Sequence, residues 1–378
     1  MIKFIKICFI TIFTCVIGAF FFMTIDNDNE VSTLEKRTLQ TFPKFSIEKL
    51  TEENYYEDIT TAFSDQLEFR DQLVKGYYIF QFQRYNGDVV IGKNNELYAA
   101  YQRVNEADYL SSLETNAGYV NEVAAEVKKA GADFIFLSIP RKDAVETENL
   151  PANYISSKDI YIKSIELLNE VLSEDVQFID AYEVFEENED TRAYYTTDHH
   201  ITPDAAFLLY HKVLEACGMK DYPVEKYYDV EETIINGSFN NQIGQSVKPR
   251  PEELSMIPKK ETKYVRYEDG EESDLKVLQV SNTYEDSYME GDRAYTVIST
   301  KRKKLPNIMY VGSSFTNILE AVTIRDSNVM ISIDYRHNET GTSIAEYVKK
   351  HRIDHVIFMP AQSNDAFSKY NMPLHLGM

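Results

Sequence analysis

The stretch "ETNAGYVNEVAAEVKKAGADFIFLSIP", Glu114 to Pro140, decides the fold class. Its first part carries apolar residues at helical spacing and closes at Gly131, and "DFIFLSIP" then reads as a buried strand stopped by Pro140. The same order follows directly: "SSKDIYIKSIELLNEVLSED" (156–175) has the pattern of an amphipathic helix and "VQFIDAY" (176–182) that of a strand. Helix and strand alternating at this spacing predict parallel strands joined by crossover helices, an α/β fold. The alternation resumes with strand "NIMYV" (307–311), a helix from about Phe315, strand "VMISIDY" (329–335), helix "GTSIAEYVKKHR" (341–352) and strand "HVIFMP" (355–360). The expected architecture is one mostly parallel sheet of strands near 134–139, 176–180, 307–311, 329–334 and 355–359, with helices on both faces.

Residues from about 222 to 304 break the pattern. They are acidic, rich in tyrosine and dotted with Asn, Gly and Pro, with short β-like pieces such as "KYVRYED" (263–269) and "LKVLQVSN" (275–282). They read as a β-rich insertion projecting from an α/β domain that spans 111–378. Upstream, 26–110 forms a linker and helical/hairpin segment. There "YYEDITTAFSDQLEFRDQLVKGYYIFQFQRYNG" (55–87) has helical spacing, and "DVVIGKNNELYAA" (88–100) reads as a hairpin turning at Gly92 to Asn95.

A chain of 378 residues can bury a full core, and 26% charged with 43% hydrophobic residues is a globular composition. The net charge of −22 would repel a phosphate backbone, which argues against nucleic acid as a partner.

The first residues bear on compartment. Lys3 and Lys6 precede Ile7 to Ile25, a run without charge, and Asp26, Asp28 and Glu30 follow. Such a run spans roughly 28 Å as a helix, close to the hydrocarbon thickness of a bilayer. The flanking charges predict an N-in, C-out orientation with the rest of the chain outside the cytoplasm. A retained membrane anchor over 1–25 is favoured over a cleaved signal peptide, because the apolar run is long and no small-residue cleavage site follows it. Cys217 is the one cysteine outside this run, so no internal disulfide is expected and Cys217 reads as a small buried hydrophobe.

Two motifs carry candidate chemistry. In "YYTTDHHITPDAA" (194–206), Thr202 is a good N-cap, and Pro203 and Asp204 suit the first turn of a helix closed by Gly218. Its Asp198, His199 and His200 resemble the Asp-His-His signature of a manganese phosphoesterase family. The further aspartates that such a site needs are missing from the earlier strand ends, "SIPRKD" and "QFIDAY". Adjacent side chains are also expected to point apart, so no metal is expected here. The second motif, "NIMYVGSSFTNILEA" (307–321), places Gly312, Ser313 and Ser314 between a strand and a helix. A serine at such a turn exposes its hydroxyl above the sheet edge beside free backbone N–H groups. Asp-x-His after one strand and serine after another suggest the parts of a nucleophile–base–carboxylate triad.

"TTDHHIT" (196–202) and "VGSSF" (311–315) together resemble the DHHW family of exported bacterial proteins, itself similar to the SGNH-hydrolase-like proteins of alginate O-acetylation. The likeness extends in order to "EKRTLQTFPKFSIEKL" (35–50), "FSDQLEFRDQL" (63–73), "VVIGKNNELY" (89–98) and "IPRKDAVETENLP" (139–151). It implies an SGNH-like three-layer fold and assigns Ser314 as nucleophile, His200 as base and Asp198 as its partner, with His199 pointing the other way. It further implies an O-acetyltransferase acting on a cell-surface polysaccharide through an acyl-serine, supplied by a membrane-bound O-acyltransferase and needing no cofactor. An acetyl esterase with the same triad, or a non-catalytic glycan-binding module on this fold, are the alternatives. Two positions depart from the family: Ile201 stands where it has tryptophan, and Ser313 stands where it usually has aspartate. Lys142, Arg336 and Asn364, with Gln362, are candidate substrate contacts at strand ends; His337 and His355 lie at similar places and read as structural.

Overall fold

The computed structural model describes residues 2–32, 37–44, 46, 49, 53–85, 88–100, 104–337 and 341–360. The chain divides into two compact units, Met1–Gly87 with Asn240–Ser246, and Asp88–Phe239 with Val247–Met378.

The first unit begins with helix α1 (Ile2–Ile25), whose stretch Lys6–Ile25 has a mean hydropathy of 2.4 and is long and apolar enough to cross a membrane. A two-stranded pairing of β1 (Val31–Ser32) with β2 (Arg37–Thr38) follows, then α2 (Glu53–Asp65) and α3 (Arg70–Tyr85). The buried Gln66 amide ties these pieces together. It accepts from Asn29 N (2.8 Å) and donates to the carbonyls of Asn29 (2.8 Å) and Gln40 (3.0 Å).

The second unit opens with the hairpin of β3 (Val89–Ile91) and β4 (Leu97–Ala99). Its core elements are α4 (Glu106–Ala130), β5 (Asp133–Ser138), α5 (Lys142–Val145), α6 (Lys158–Val171), β6 (Val176–Asp180), α7 (Ala181–Glu186) and α8 (Pro203–Ala216). Then come β7 (Tyr228–Ile234), α9 (Ser238–Gln242), β8 (Pro251–Pro258), β9 (Val265–Glu268), β10 (Glu271–Ser273), α10 (Tyr284–Ser287) and β11 (Tyr295–Ser299). The last elements are β12 (Asn307–Gly312), α11 (Asn317–Thr323), β13 (Val329–Asp334), α12 (Ile344–His351) and β14 (His355–Met359).

The five strands expected from the alternation, β5, β6, β12, β13 and β14, lie together and run parallel in the order β13-β12-β14-β5-β6. Their period of two feeds two cores. Ile135, Leu137, Ile308, Tyr310, Met330 and Ile357 face α7, α8 and α11. Phe134, Phe136, Met309, Val311, Ile331 and Phe358 face α4, α6 and α12. Three layers result. The ends of the helices are set by local chemistry: Asn105 caps α4, Gly131 closes it at φ 98°, and Ser343 and Glu346 form a capping box on α12.

The mostly parallel sheet is as expected, but the insertion does not merely project from it: it lengthens the sheet. The sheet has eight strands and is mixed, because β11, β9 and β10 add antiparallel beyond β13. Without them β13 would be an edge strand with a row of unpaired backbone groups; Tyr295 to Ser299 of β11 pair with Val329 to Ile333 and cover it. Strands β7 and β8 form a separate antiparallel ribbon with a bulge between Glu231 and Glu232.

Candidate active site

Two loops meet at the C-terminal edge of the parallel strands. The first, Ala193 to Thr202, folds back on itself: Tyr194 bridges Ile201, and Thr202 N bonds to the Ala193 carbonyl at 3.0 Å. Thr202 then caps α8 through its hydroxyl, as its sequence context predicts. Between these fixed ends Asp198 turns the chain by accepting from the backbone N–H of His199 (2.7 Å) and His200 (3.0 Å) on Oδ1. The same oxygen accepts Nδ1–H of His200 at 2.7 Å, and Oδ2 accepts the N–H of Ser238 at 2.7 Å.

The second loop follows β12. Gly312 sits where a Cβ would lie 2.6 Å from the Met359 carbonyl and would also strike Thr316 Cγ2, so no other residue fits. Ser314 Oγ lies 3.0 Å from His200 Nε2. With Nδ1–H committed to Asp198, Nε2 carries the lone pair and accepts from the serine hydroxyl. The arrangement is therefore a continuous hydrogen-bond chain from Asp198 through His200 to Ser314. Asp198 and His200 are each 1% exposed and Ser314 is 7% exposed, so the hydroxyl is more enclosed than a freely exposed turn serine. Burial alone would raise the Asp198 carboxyl, but His200, His199 and the Ser238 N–H outweigh it and hold the group well below the usual carboxylate range. Asp198 stays ionised and fixes the histidine tautomer.

The rest of the imidazole is held by packing. Tyr284 stacks on His200 with centroids 3.7 Å apart and planes 3° from parallel, and its hydroxyl donates to the Ser314 carbonyl at 3.1 Å. Glu252 on β8 accepts from the Thr196 N–H at 2.8 Å and braces the histidine loop. Tyr284, Ser238 and Glu252 all come from the insertion, and nothing in its irregular composition signalled them. The chain's departure at Ile201 is a fully buried core residue.

His199 differs from the expected outward neighbour. Its ring lies alongside that of His200, centroids 4.0 Å apart, with Nδ1 2.6 Å from Ser238 Oγ. The turn made by Asp198 takes both residues out of extended backbone, so alternation of side chains does not apply. As a result one ligand atom from each of Asp198, His199 and His200 falls within 4.8 Å of the others. These atoms are already engaged with Ser238, Ser314 and one another.

A cavity of about 250 Å³ opens onto Ser314, lined among others by Arg141, Lys142, His199, Phe239, Phe315 and Arg336. Of the candidate contacts, Arg336 is partly exposed there; Asp334 and Asp292 hold its guanidinium, the latter through Nη2 at 2.6 Å. Lys142 does not offer a donor to a ligand. Its Nζ is buried against Glu96 at 2.6 Å and the carbonyls of Tyr195 and Thr196, which uses its three protons. Burial lowers that ammonium's pKa and Glu96 opposes the shift. Asn364 and Gln362 lie outside the described residues. His337 and His355 stand apart from this cavity, His355 beside Asp133 at 3.2 Å.

Comparison with known proteins agrees with this architecture. A search of the curated proteins gave no match. Among solved structures, Bacillus cereus PatB1 with a sulfonyl adduct is 19% identical with a TM-score of 0.62, covering 76% of this chain and 99% of its own. A DHHW family protein from Eubacterium siraeum is 18% identical with a TM-score of 0.60, covering 76% and 93%. At that identity they show the shared fold alone. The family model described as SGNH hydrolase-like domain, acetyltransferase AlgX, matches residues 89–320, which runs from β3 into α11 and takes in both loops of the site. On that match the chain belongs to the SGNH hydrolase-like family of the acetyltransferase AlgX, an enzyme family of the O-acetyltransferase type.

Proposed function

We propose that the chain is an exported, membrane-anchored O-acetyltransferase that acylates a hydroxyl of a cell-surface polysaccharide through an acetyl-Ser314 intermediate. The observation that carries this reading is the 3.0 Å contact between His200 Nε2 and Ser314 Oγ, in line with the 2.7 Å contact between His200 Nδ1 and Asp198. Ser314 Oγ attacks the acetyl carbonyl of the donor while its proton passes to Nε2. The tetrahedral oxyanion collapses, the donor group leaves with that proton, and the acetyl ester on Ser314 remains. A sugar hydroxyl then gives its proton to Nε2 and attacks the ester, and Ser314 recovers the proton as the acetylated glycan departs. Asp198 stays ionised throughout and steadies the imidazolium. The Ser314 N–H, which has no partner among the described residues, is assigned to the oxyanion. Arg336, partly exposed in the cavity, is assigned to sugar hydroxyls.

Helix α1 would hold the enzyme at the outer face of the cell membrane, where a membrane-bound O-acyltransferase could deliver the acyl group. The decisive experiment uses the full chain in detergent or bilayer discs with an acetyl ester donor and candidate wall glycans. Acetylated glycan and an acetylated Ser314 peptide in the native chain, both absent from Ser314→Ala, are expected. Turnover surviving in Ser314→Ala would overturn the reading, and release of acetate to water with no glycan product would make the chain an esterase.

A further inference from the structure

A buried carboxylic acid lies directly behind the nucleophile turn. Glu320 on α11 is fully enclosed, with Oε1 2.6 Å from Thr316 Oγ1 and 2.9 Å from Ser332 Oγ. Thr316 Oγ1 also lies 2.9 Å from the Ser313 carbonyl, the carbonyl of the peptide bond that carries the Ser314 N–H. A threonine hydroxyl has one proton, so it cannot donate to both oxygens. If Glu320 is ionised, the proton goes to the carboxylate and the Ser313 carbonyl keeps only the Thr316 N–H at 2.9 Å. If Glu320 is a neutral acid, its own proton goes to Thr316 Oγ1 and the threonine proton is freed for Ser313. Only the neutral form satisfies every contact.

We propose that neutral Glu320 is a positioning residue for the acyl-transfer reaction, acting through Thr316 on the Ser313–Ser314 peptide. The relay fixes the turn that aims Ser314 at His200. Polarising the Ser313 carbonyl also strengthens the Ser314 N–H as a donor to the oxyanion, since linked hydrogen bonds reinforce one another. Thr316 occupies the space that Gly312 leaves open, so glycine, threonine and glutamate form one device.

The charge environment favours the acid form. Around Glu320, β13 supplies the Ser332 hydroxyl and, at its end, Asp334, which is paired with Arg336. Asp292 acts to raise its pKa; Arg266 on β9 acts to lower it, although Arg266 is itself paired with Glu268. Oε2 is buried without a hydrogen-bond partner among the described residues, a poor place for a negative charge. Burial is the largest influence and pushes the group up to about 7, against the bonds from Thr316 and Ser332. Because the working form is protonated, activity is lost as pH rises through that value.

The inference rests on Ser314 as nucleophile, and the test separates the two. Turnover of an acetyl ester is followed from about pH 6 to about pH 9 for the full chain and its variants. Wild type is expected to lose kcat on the alkaline side. Glu320→Gln, whose amide always donates to Thr316, should stay within about twofold of wild type at low pH and lose that decline. Thr316→Val should lower kcat about tenfold with little change in KM, and adding Glu320→Gln to it should change nothing more. The infrared band of a buried neutral carboxylic acid should be present in wild type, absent from Glu320→Gln, and bleached as pH rises. A Glu320→Gln enzyme that keeps the alkaline decline, or an infrared spectrum without that band at low pH, overturns the relay while leaving Ser314 in place. Turnover retained by Ser314→Ala overturns both.

Discussion

His200 is held on three sides: by Asp198 at Nδ1, by Ser314 at Nε2 and by the Tyr284 ring against its face. Each hold has its own expected signature. Asp198→Asn keeps the shape but offers an amide where a carboxylate accepted four N–H groups, so kcat should fall by about 10⁴, with stability changed far less. The pH-dependence of folding tests the same charge. Asp198 has a depressed carboxyl in the native state, so its contribution is present above the ordinary aspartate pKa and is lost as pH falls through the native one. Acid unfolding of Asp198→Asn, followed by circular dichroism, should therefore lack the part of the wild-type transition that this carboxylate supplies. His199 meets Ser238 and aromatic rings, whereas the 3.0 Å bond to Ser314 Oγ comes from His200. His199→Ala should cost about tenfold in kcat at most, and His200→Ala at least about 10³. A chelator should leave turnover unchanged. Equal losses in the two histidine variants, together with chelator sensitivity, would return the metal reading.

The strand-to-helix turn of β12 and α11 and the loop before α8 are precise because small residues and buried charges leave them no other shape. Gly312→Ala would drive a methyl group into the Met359 carbonyl of β14, and unfolding by denaturant should show a loss of about 2 kcal/mol. Gly237 is equally tight: a Cβ there would lie 2.7 Å from Asp198 Cβ. Gly237→Ala should reduce kcat about tenfold or more by displacing the carboxylate, and unchanged turnover would refute that coupling. Lys142 on α5 is a strut between Glu96 and the carbonyls of Tyr195 and Thr196. Its truncation leaves Glu96 paired with Arg192 but takes the donor from the Tyr195 and Thr196 carbonyls, so Lys142→Ala should destabilise by about 2 kcal/mol, whereas a substrate contact would show mainly in KM.

The chain joins an apolar N-terminal helix to an acidic α/β unit. If α1 is an anchor with the rest outside, a reporter fused near residue 40 should work only when it functions beyond the cytoplasm. Removal of residues 1–25 should move the protein from the membrane fraction to the soluble one. The insertion carries more than its composition suggested. Three of its strands complete the sheet, and Ser238, Glu252 and Tyr284 reach the site from it.

Periodicity along the chain determined the five parallel strands and their covering helices. Burial on two faces is written locally, as alternating apolar residues in strands and apolar stripes in helices. The Asp198, His200 and Ser314 positions were legible for a related reason: each sits beside a turn or cap whose residues announce it. Tertiary structure alone decided the rest. The antiparallel extension of the sheet depends on which edge was left unpaired, and that is a property of the assembled strands. The Tyr284 ring on His200, the Ser238 N–H on Asp198 and the Glu96 carboxylate on Lys142 join residues 40 or more positions apart. Such contacts between polar groups of irregular segments have no period to read, because each is fixed by where the backbone ends up and not by the neighbours in sequence.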